Sequence, residues 1–245
     1  MKLVKSSLLL WAVLCTVLST PSCTDACDDI VCENGGTCVD EACECPEGFI
    51  GDFCEQMDIS QIQALLDGGT NTPKMLYDAG VTLDSLYGKM YEGGLIFYLD
   101  TVDGTGMVAA TVDQSDGAVW GCVGINIPGL NNISSSPVDP ETQEGARIGD
   151  GAANTSAILA ECMEAGIAAK LCRDLGDEWF LPSRGELKLM YTNLHENGHG
   201  GFAADAYWNS TEHSNFVAWT TVFTIGGWFD DSKFSESHVR AARAF

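Results

Sequence analysis

The sequence predicts an α+β fold behind a small module held by disulfides. Two observations carry this. Six cysteines crowd residues 27–54, spaced Cys27-x4-Cys32-x5-Cys38-x4-Cys43-x-Cys45-x8-Cys54. From residue 91 onward, apolar runs read as strands, then helices, then strands again. That order favours α+β over a repeated βαβ series, and about 155 residues suffice for one core.

Residues 1–22 read as a signal peptide. Lys2 and Lys5 precede an apolar run from Leu8 to Leu18, and small residues follow. The run is too short to span a bilayer comfortably. Cys15 lies inside it, whereas Cys23 follows the cleavage zone and is the expected lipid acceptor, with residues 23–26 as an anchored linker.

Residues 27–55 form the cysteine module. A stretch this short cannot build a sufficient apolar core and needs covalent staples. Six cysteines allow about 15 pairings, and spacing alone does not choose among them. Disulfides persist in oxidising compartments, so the chain is expected outside the cytosol.

Residues 56–90 read as a spacer of short helices. Ile59, Ile62, Leu65 and Leu66 recur at helical spacing, and Gly68-Gly69 stops the run. Thr72-Pro73 opens a second turn. Thr82 opens a third, and Leu66, Leu76 and Leu86 repeat at tens.

Residues 91–245 carry the main domain. Leu95–Leu99 and Met107–Val112 flank the turn Asp103-Gly104, a hairpin signal. A Gly/Ser-rich loop covers 121–153, and Asn154-Thr155 opens a helix through Cys162. Gly166 interrupts it before Ile167–Leu175. Ser183 and Glu186 form a capping box ahead of Leu187, Met190, Tyr191 and Leu194. Strands return at Tyr207–Thr211, Phe216–Phe223, Trp228-Phe229 and Val239–Phe245.

Charge excludes one function class. The chain holds 35 acids against 12 bases, a net of −23, and loss of residues 1–22 leaves −25. Such a field repels nucleic acid and anionic lipid headgroups.

Four groups of residues could carry chemistry. Asp100, Asp103, Asp113 and Asp116 cluster at Asp-Gly turns and could hold calcium. His195-Glu196-Asn197-Gly198-His199 spells the zinc-protease motif, which requires an unbroken helix; the following glycines argue against one. Cys122, Cys162 and Cys172 are odd in number, which leaves one thiol unpaired. Cys122–Cys162 is the favoured bridge and Cys162–Cys172 its rival. Trp208, Asn209, Glu212 and Trp219 offer an aromatic and polar groove suited to stacking a sugar. Arg240 and Arg243 face opposite sides of a strand, one pairing inward with Glu186 or Glu212. Asn132, Asn154 and Asn209 head glycosylation sequons.

Two resemblances add to this reading. Asn34-Gly35-Gly36-Thr37 and the run Cys43–Cys54 resemble an epidermal-growth-factor-like module, which implies Cys27–Cys38, Cys32–Cys43 and Cys45–Cys54. Gly93–Leu99, Trp120-Gly121-Cys122, Asn154-Thr155, Trp179–Ser183 with Glu186-Leu187, Tyr207–Glu212 and Val239–Phe245 occur in order. They resemble the C-terminal domain of collagen-like bacterial adhesins, the Lcl C-terminal family. A weaker similarity runs to C-type-lectin-like folds. The resemblances imply a lipid-anchored bacterial surface protein, non-enzymatic, whose partner is a glycan or a surface protein. The alternatives are a structural surface protein binding another protein and, remotely, a zinc hydrolase acting through His195 and His199.

Overall fold

The computed structural model describes residues 27, 29–130, 144–162 and 164–245. The expected signal peptide, the anchor at Cys23, Cys15 and the Asn132 sequon lie outside the described residues. The chain divides into two compact units, the smaller running to Pro46 with Ile50–Glu55, the larger comprising Glu47–Phe49 and Gln56–Phe245.

The smaller unit is covalently braced. Its bridges are Cys27–Cys38, Cys32–Cys43 and Cys45–Cys54. Strands β1 (Thr37–Val39) and β2 (Ala42–Glu44) pair antiparallel around Asp40 and Glu41. Both turn residues have positive φ, 49° and 67°, as a two-residue hairpin turn demands. Val31 and Phe53 remain exposed, so disulfides rather than apolar burial define this unit. The two-residue strands β3 (Phe49–Ile50) and β4 (Gln56–Met57) follow.

The larger unit begins with three short helices, α1 (Ile62–Asp67), α2 (Pro73–Asp78) and α3 (Leu83–Leu86). Thr72 caps α2 by accepting a hydrogen bond from the Met75 N–H. The tenfold leucine spacing now has a cause: Leu66, Leu76 and Leu86 are all buried and pack in one core with Ile96, Leu99 and Val108. The expected spacer is thus a wall of the larger unit.

Two five-stranded sheets make the body. Strands β5 (Met90–Tyr91), β6 (Gly94–Leu99) and β7 (Gly106–Ala109) form a meander in one sheet. Strand β8 (Ser115–Val119), helix α4 (Gly151–Glu161), helix α5 (Ala168–Arg173), strand β9 (Trp179–Phe180) and helix α6 (Arg184–Asn193) follow. The chain ends with β10 (Ala206–Glu212), β11 (Val217–Val222), β12 (Gly227–Ser232), β13 (Glu236–Val239) and β14 (Ala242–Ala244). The sheet orders are β12-β11-β10-β13-β8 and β5-β6-β7-β14-β9. All pairings in them are antiparallel except β10 with β13.

The expected last strand, Val239–Phe245, is two strands. The chain leaves one sheet after β13 and enters the other at β14, turning at Arg240-Ala241. Arg240 fixes this crossing: its Nε donates to Asp113 at 2.6 Å, and its Nη1 donates to the carbonyls of Ala110 and Gly200. Arg240 therefore pairs with neither Glu186 nor Glu212, and Arg243 pairs with Glu92 and Glu178 instead.

Alternation on β10 feeds two cores. Trp208 joins the cluster around Ile96 and Ile158, while Tyr207 joins Phe97, Leu187, Met190 and Phe223 on the other side. Helix α6 closes that second core, and its capping box is complete: Ser183 accepts from the Glu186 N–H, and Glu186 accepts from the Ser183 N–H. The Ser183 hydroxyl also donates to Arg147 O at 2.7 Å. Ser183→Ala is expected to cost about 1–2 kcal/mol in urea unfolding. A loss below about 0.3 kcal/mol would show the cap to be dispensable.

Helix α4 starts at Gly151, earlier than expected. Asn154 sits inside it and donates to Gly145 O and Ser210 Oγ. Among the described residues no helix is long and apolar enough to cross a membrane.

Candidate functional site

The residues expected to form a binding groove are interior. Trp208, Asn209, Glu212 and Trp219 are all buried, because both faces of β10 and β11 are covered. Trp208 Nε1 donates to Ala118 O at 2.8 Å, and Trp120 Nε1 donates to Asn209 O at 2.9 Å. Trp219 and Trp228 flank the Arg184 guanidinium at 4.6 and 4.1 Å. Glu212 forms an ion pair with Lys233, both side chains 0% exposed. The Lys233 ammonium also lies 4.4 Å over Trp120 and donates to Ile125 O, while Glu212 accepts from the Ile127 N–H. Burial raises the Glu212 carboxyl and lowers the Lys233 ammonium, and each partner opposes the other's shift. These residues hold the fold together and offer no open face.

The four aspartates do not converge either. Asp100 and Asp103 each cap their own turn, accepting from the N–H of Val102 and Thr105 respectively. Asp113 is taken by Arg240, Tyr207 and His238. Asp116 is exposed on β8. Among the described residues no three His, Cys, Asp or Glu side chains gather as a metal ion requires.

The zinc motif is broken where its glycines are. Helix α6 stops at Asn193, His195–Asn197 form a 3-10 turn, and Gly198 is left-handed at φ 74°. His195 stacks on Tyr191 at 5.5 Å, while the His199 ring lies against Gly88. The shared helical face that zinc chemistry needs is absent.

Cys122 is bridged to Cys162, with their Cα atoms 5.4 Å apart. Cys172 is free and buried, and burial pushes its thiol up. The sequons at Asn154 and Asn209 are buried as well.

An open cleft lies elsewhere in the larger unit. One lobe, of about 350 Å³, is lined by the end of α1, by Asn71 and Thr72, and by Met90, Tyr91 and Glu92. A second lobe, of about 460 Å³, shares Thr72, Tyr91 and Glu92 and continues past Lys74, Asp103 and Gly104 to Phe245. Each lobe falls within the size range of small-molecule sites. Tyr91 and Phe245 meet edge to face, with centroids 4.8 Å apart at 72°. Burial, then the neighbouring Glu92, raises the Tyr91 phenol.

Local sequence explains the cleft. Thr72-Pro73 starts α2, so the chain turns sharply there and leaves a notch beside α1. Glu92 and Gly93, at φ 49° and 84°, make the tight turn that carries Tyr91 back onto β6. Asp103-Gly104 closes the next hairpin. The C-terminal Phe245 is pinned by reciprocal backbone hydrogen bonds with Gly106, of 2.9 and 3.0 Å. Sequence reasoning found two of these, Thr72-Pro73 and Asp103-Gly104, as a cap and a turn without grouping them. The available signal was Tyr91-Glu92-Gly93, an aromatic and an acid at the mouth of a strand.

A comparison with protein-family models returns no match, and neither does a comparison with curated proteins.

Proposed function

We propose that this chain is an exported, lipid-anchored, non-enzymatic surface protein whose larger unit binds a glycan in the cleft beside Tyr91 and Phe245. The carrying observation is that cleft: two aromatic rings in edge contact, ringed by Asp67, Asn71, Thr72, Glu92 and Asp103. Sugars present C–H faces to aromatic rings and hydroxyls to oxygen acceptors. The first-third, second-fourth and fifth-sixth pairing of the module supports the growth-factor-like reading. A C-type-lectin-like fold is supported by two sheets in which β14 returns to pair with β7 of the first hairpin. Anchoring at Cys23 of a bacterial outer membrane or cell surface rests on the sequence alone.

The test is a glycan array probed with the disulfide-intact chain, in calcium and again in chelator. Hits are expected in both buffers, because among the described residues no group of three metal-ligating side chains lines the cleft. Tyr91→Ala should weaken them at least tenfold, about 1.4 kcal/mol. Silence in both buffers favours the second reading, a structural surface protein that binds another protein. Phe216, Phe229 and Phe234, all exposed on and around the β11–β12 hairpin, support that alternative.

A further inference from the structure

We infer that the cleft selects a saccharide bearing a free amine, an aminohexose, over neutral, acidic or sulfated sugars. This rests on the glycan reading above and names its ligand class.

Charge argues first. Asp67, Glu92 and Asp103 line the cleft, and Lys74, the one cation in its lining among the described residues, is committed to both carboxylate oxygens of Asp78 at 2.7 and 2.6 Å. Each lining carboxylate spends one oxygen on the protein. Asp67 Oδ1 accepts from Gln63 at 2.8 Å, Asp103 Oδ1 from Thr105 at 2.8 Å, and Glu92 Oε2 from Arg243 at 3.1 Å. Among the described residues, the second oxygens of Asp67 and Glu92 have no hydrogen-bonded partner, and the Asp103 carboxylate also takes its own N–H. Arg243 is the counter-charge of Glu92, so the cleft offers acceptors and unpaired negative charge at Asp67 and Asp103, and a ligand must bring donors and positive charge. An ammonium supplies three donors, and charge-assisted bonds are roughly twice as strong as neutral ones. Sulfate or uronate would meet like charge. The Tyr91–Phe245 pair adds ring faces for the sugar body or the cation.

A peptide laid down as an added strand is blocked. Strand β5 is the edge of its sheet, where such a peptide would pair. The Gln63 side chain already fills that edge. Its Oε1 accepts from the Met90 N–H at 2.8 Å, and its Nε2 donates to Met90 O at 3.0 Å. A compact ligand read through side chains fits what remains.

The experiment is calorimetric titration of the full, disulfide-intact chain at physiological salt. Its probes are the β-1,4 tetramers of glucosamine, N-acetylglucosamine and glucose, a sulfated tetramer and tetralysine. The glucosamine tetramer should bind at least tenfold more tightly than its acetylated counterpart. Asp67→Asn and Asp103→Asn should each weaken it three- to tenfold. Glu236→Gln, an exposed acid on β13 away from the cleft, should leave binding unchanged. Equal binding of the amine, acetyl and glucose forms overturns amine selection and leaves the glycan reading standing. No binding of any sugar overturns both. A Glu236→Gln loss equal to that of Asp103→Asn, or tighter binding of tetralysine than of glucosamine, also overturns the inference, in favour of diffuse attraction or a basic peptide.

Discussion

Lys233→Ala is expected to lower the unfolding free energy by about 3–5 kcal/mol. The ammonium and the Glu212 carboxylate are both fully buried, and each is the other's counter-charge. Removing the lysine strands a carboxylate whose remaining partner here is the Ile127 N–H. It also removes the cation over Trp120 and the donor to Ile125 O. Urea unfolding followed by tryptophan fluorescence reads the loss. The double variant Lys233→Met with Glu212→Gln should recover most of it, because a neutral amide still accepts from Ile127 and no charge is left unpaired. A single-variant loss under about 1 kcal/mol would mean that the pair is solvated in solution.

The second large effect is a pH dependence centred on Glu186. Burial pushes this carboxyl up to about 7, against the N–H groups of Ser183, Gly149 and Gly151, which favour its ionised form. Among the described residues the one charge acting on it is Asp150, which adds to the rise. The folded chain thus holds a proton that the unfolded chain releases near 4.5. Its stabilising contribution is complete below about pH 4.5 and is lost as pH climbs through about 7. The loss sums to roughly 3 kcal/mol at about 1.4 kcal/mol per unit. Glu186→Gln removes the titration, so the slope of stability between pH 5 and 7 should be shallower in the variant. Parallel slopes would show that Glu186 is ionised throughout.

Much of the fold was legible because it obeys local rules. The capping box at Ser183, the proline start of α2 and the Asp103-Gly104 hairpin each follow from a few adjacent residues. Strand β8 was missed because Ser115-Asp116-Gly117 lacks apolar alternation; β13 pairs with it antiparallel, and Ala118 is its buried residue. The groove was misplaced for a different reason. Trp208, Asn209, Glu212 and Trp219 look like a sugar platform in a sequence of unknown depth. Alternation reports which residues share a face, not whether a second layer covers it. The actual cleft draws on residues near 70, 91, 103 and 245, and only tertiary contact brings them together.

The crossing at Arg240-Ala241 has a consequence for the order of events in folding. Strand β14 lies between β7 and β9, and β13 lies between β10 and β8, so neither sheet is continuous until residues 236–244 arrive. The four pairings that β13 and β14 make in these sheets join strands that are not consecutive in sequence, which slows folding. A chain of this topology stays unlocked until residues 236–244 are paired. Strands β13 and β14 then latch one sheet each in one late step.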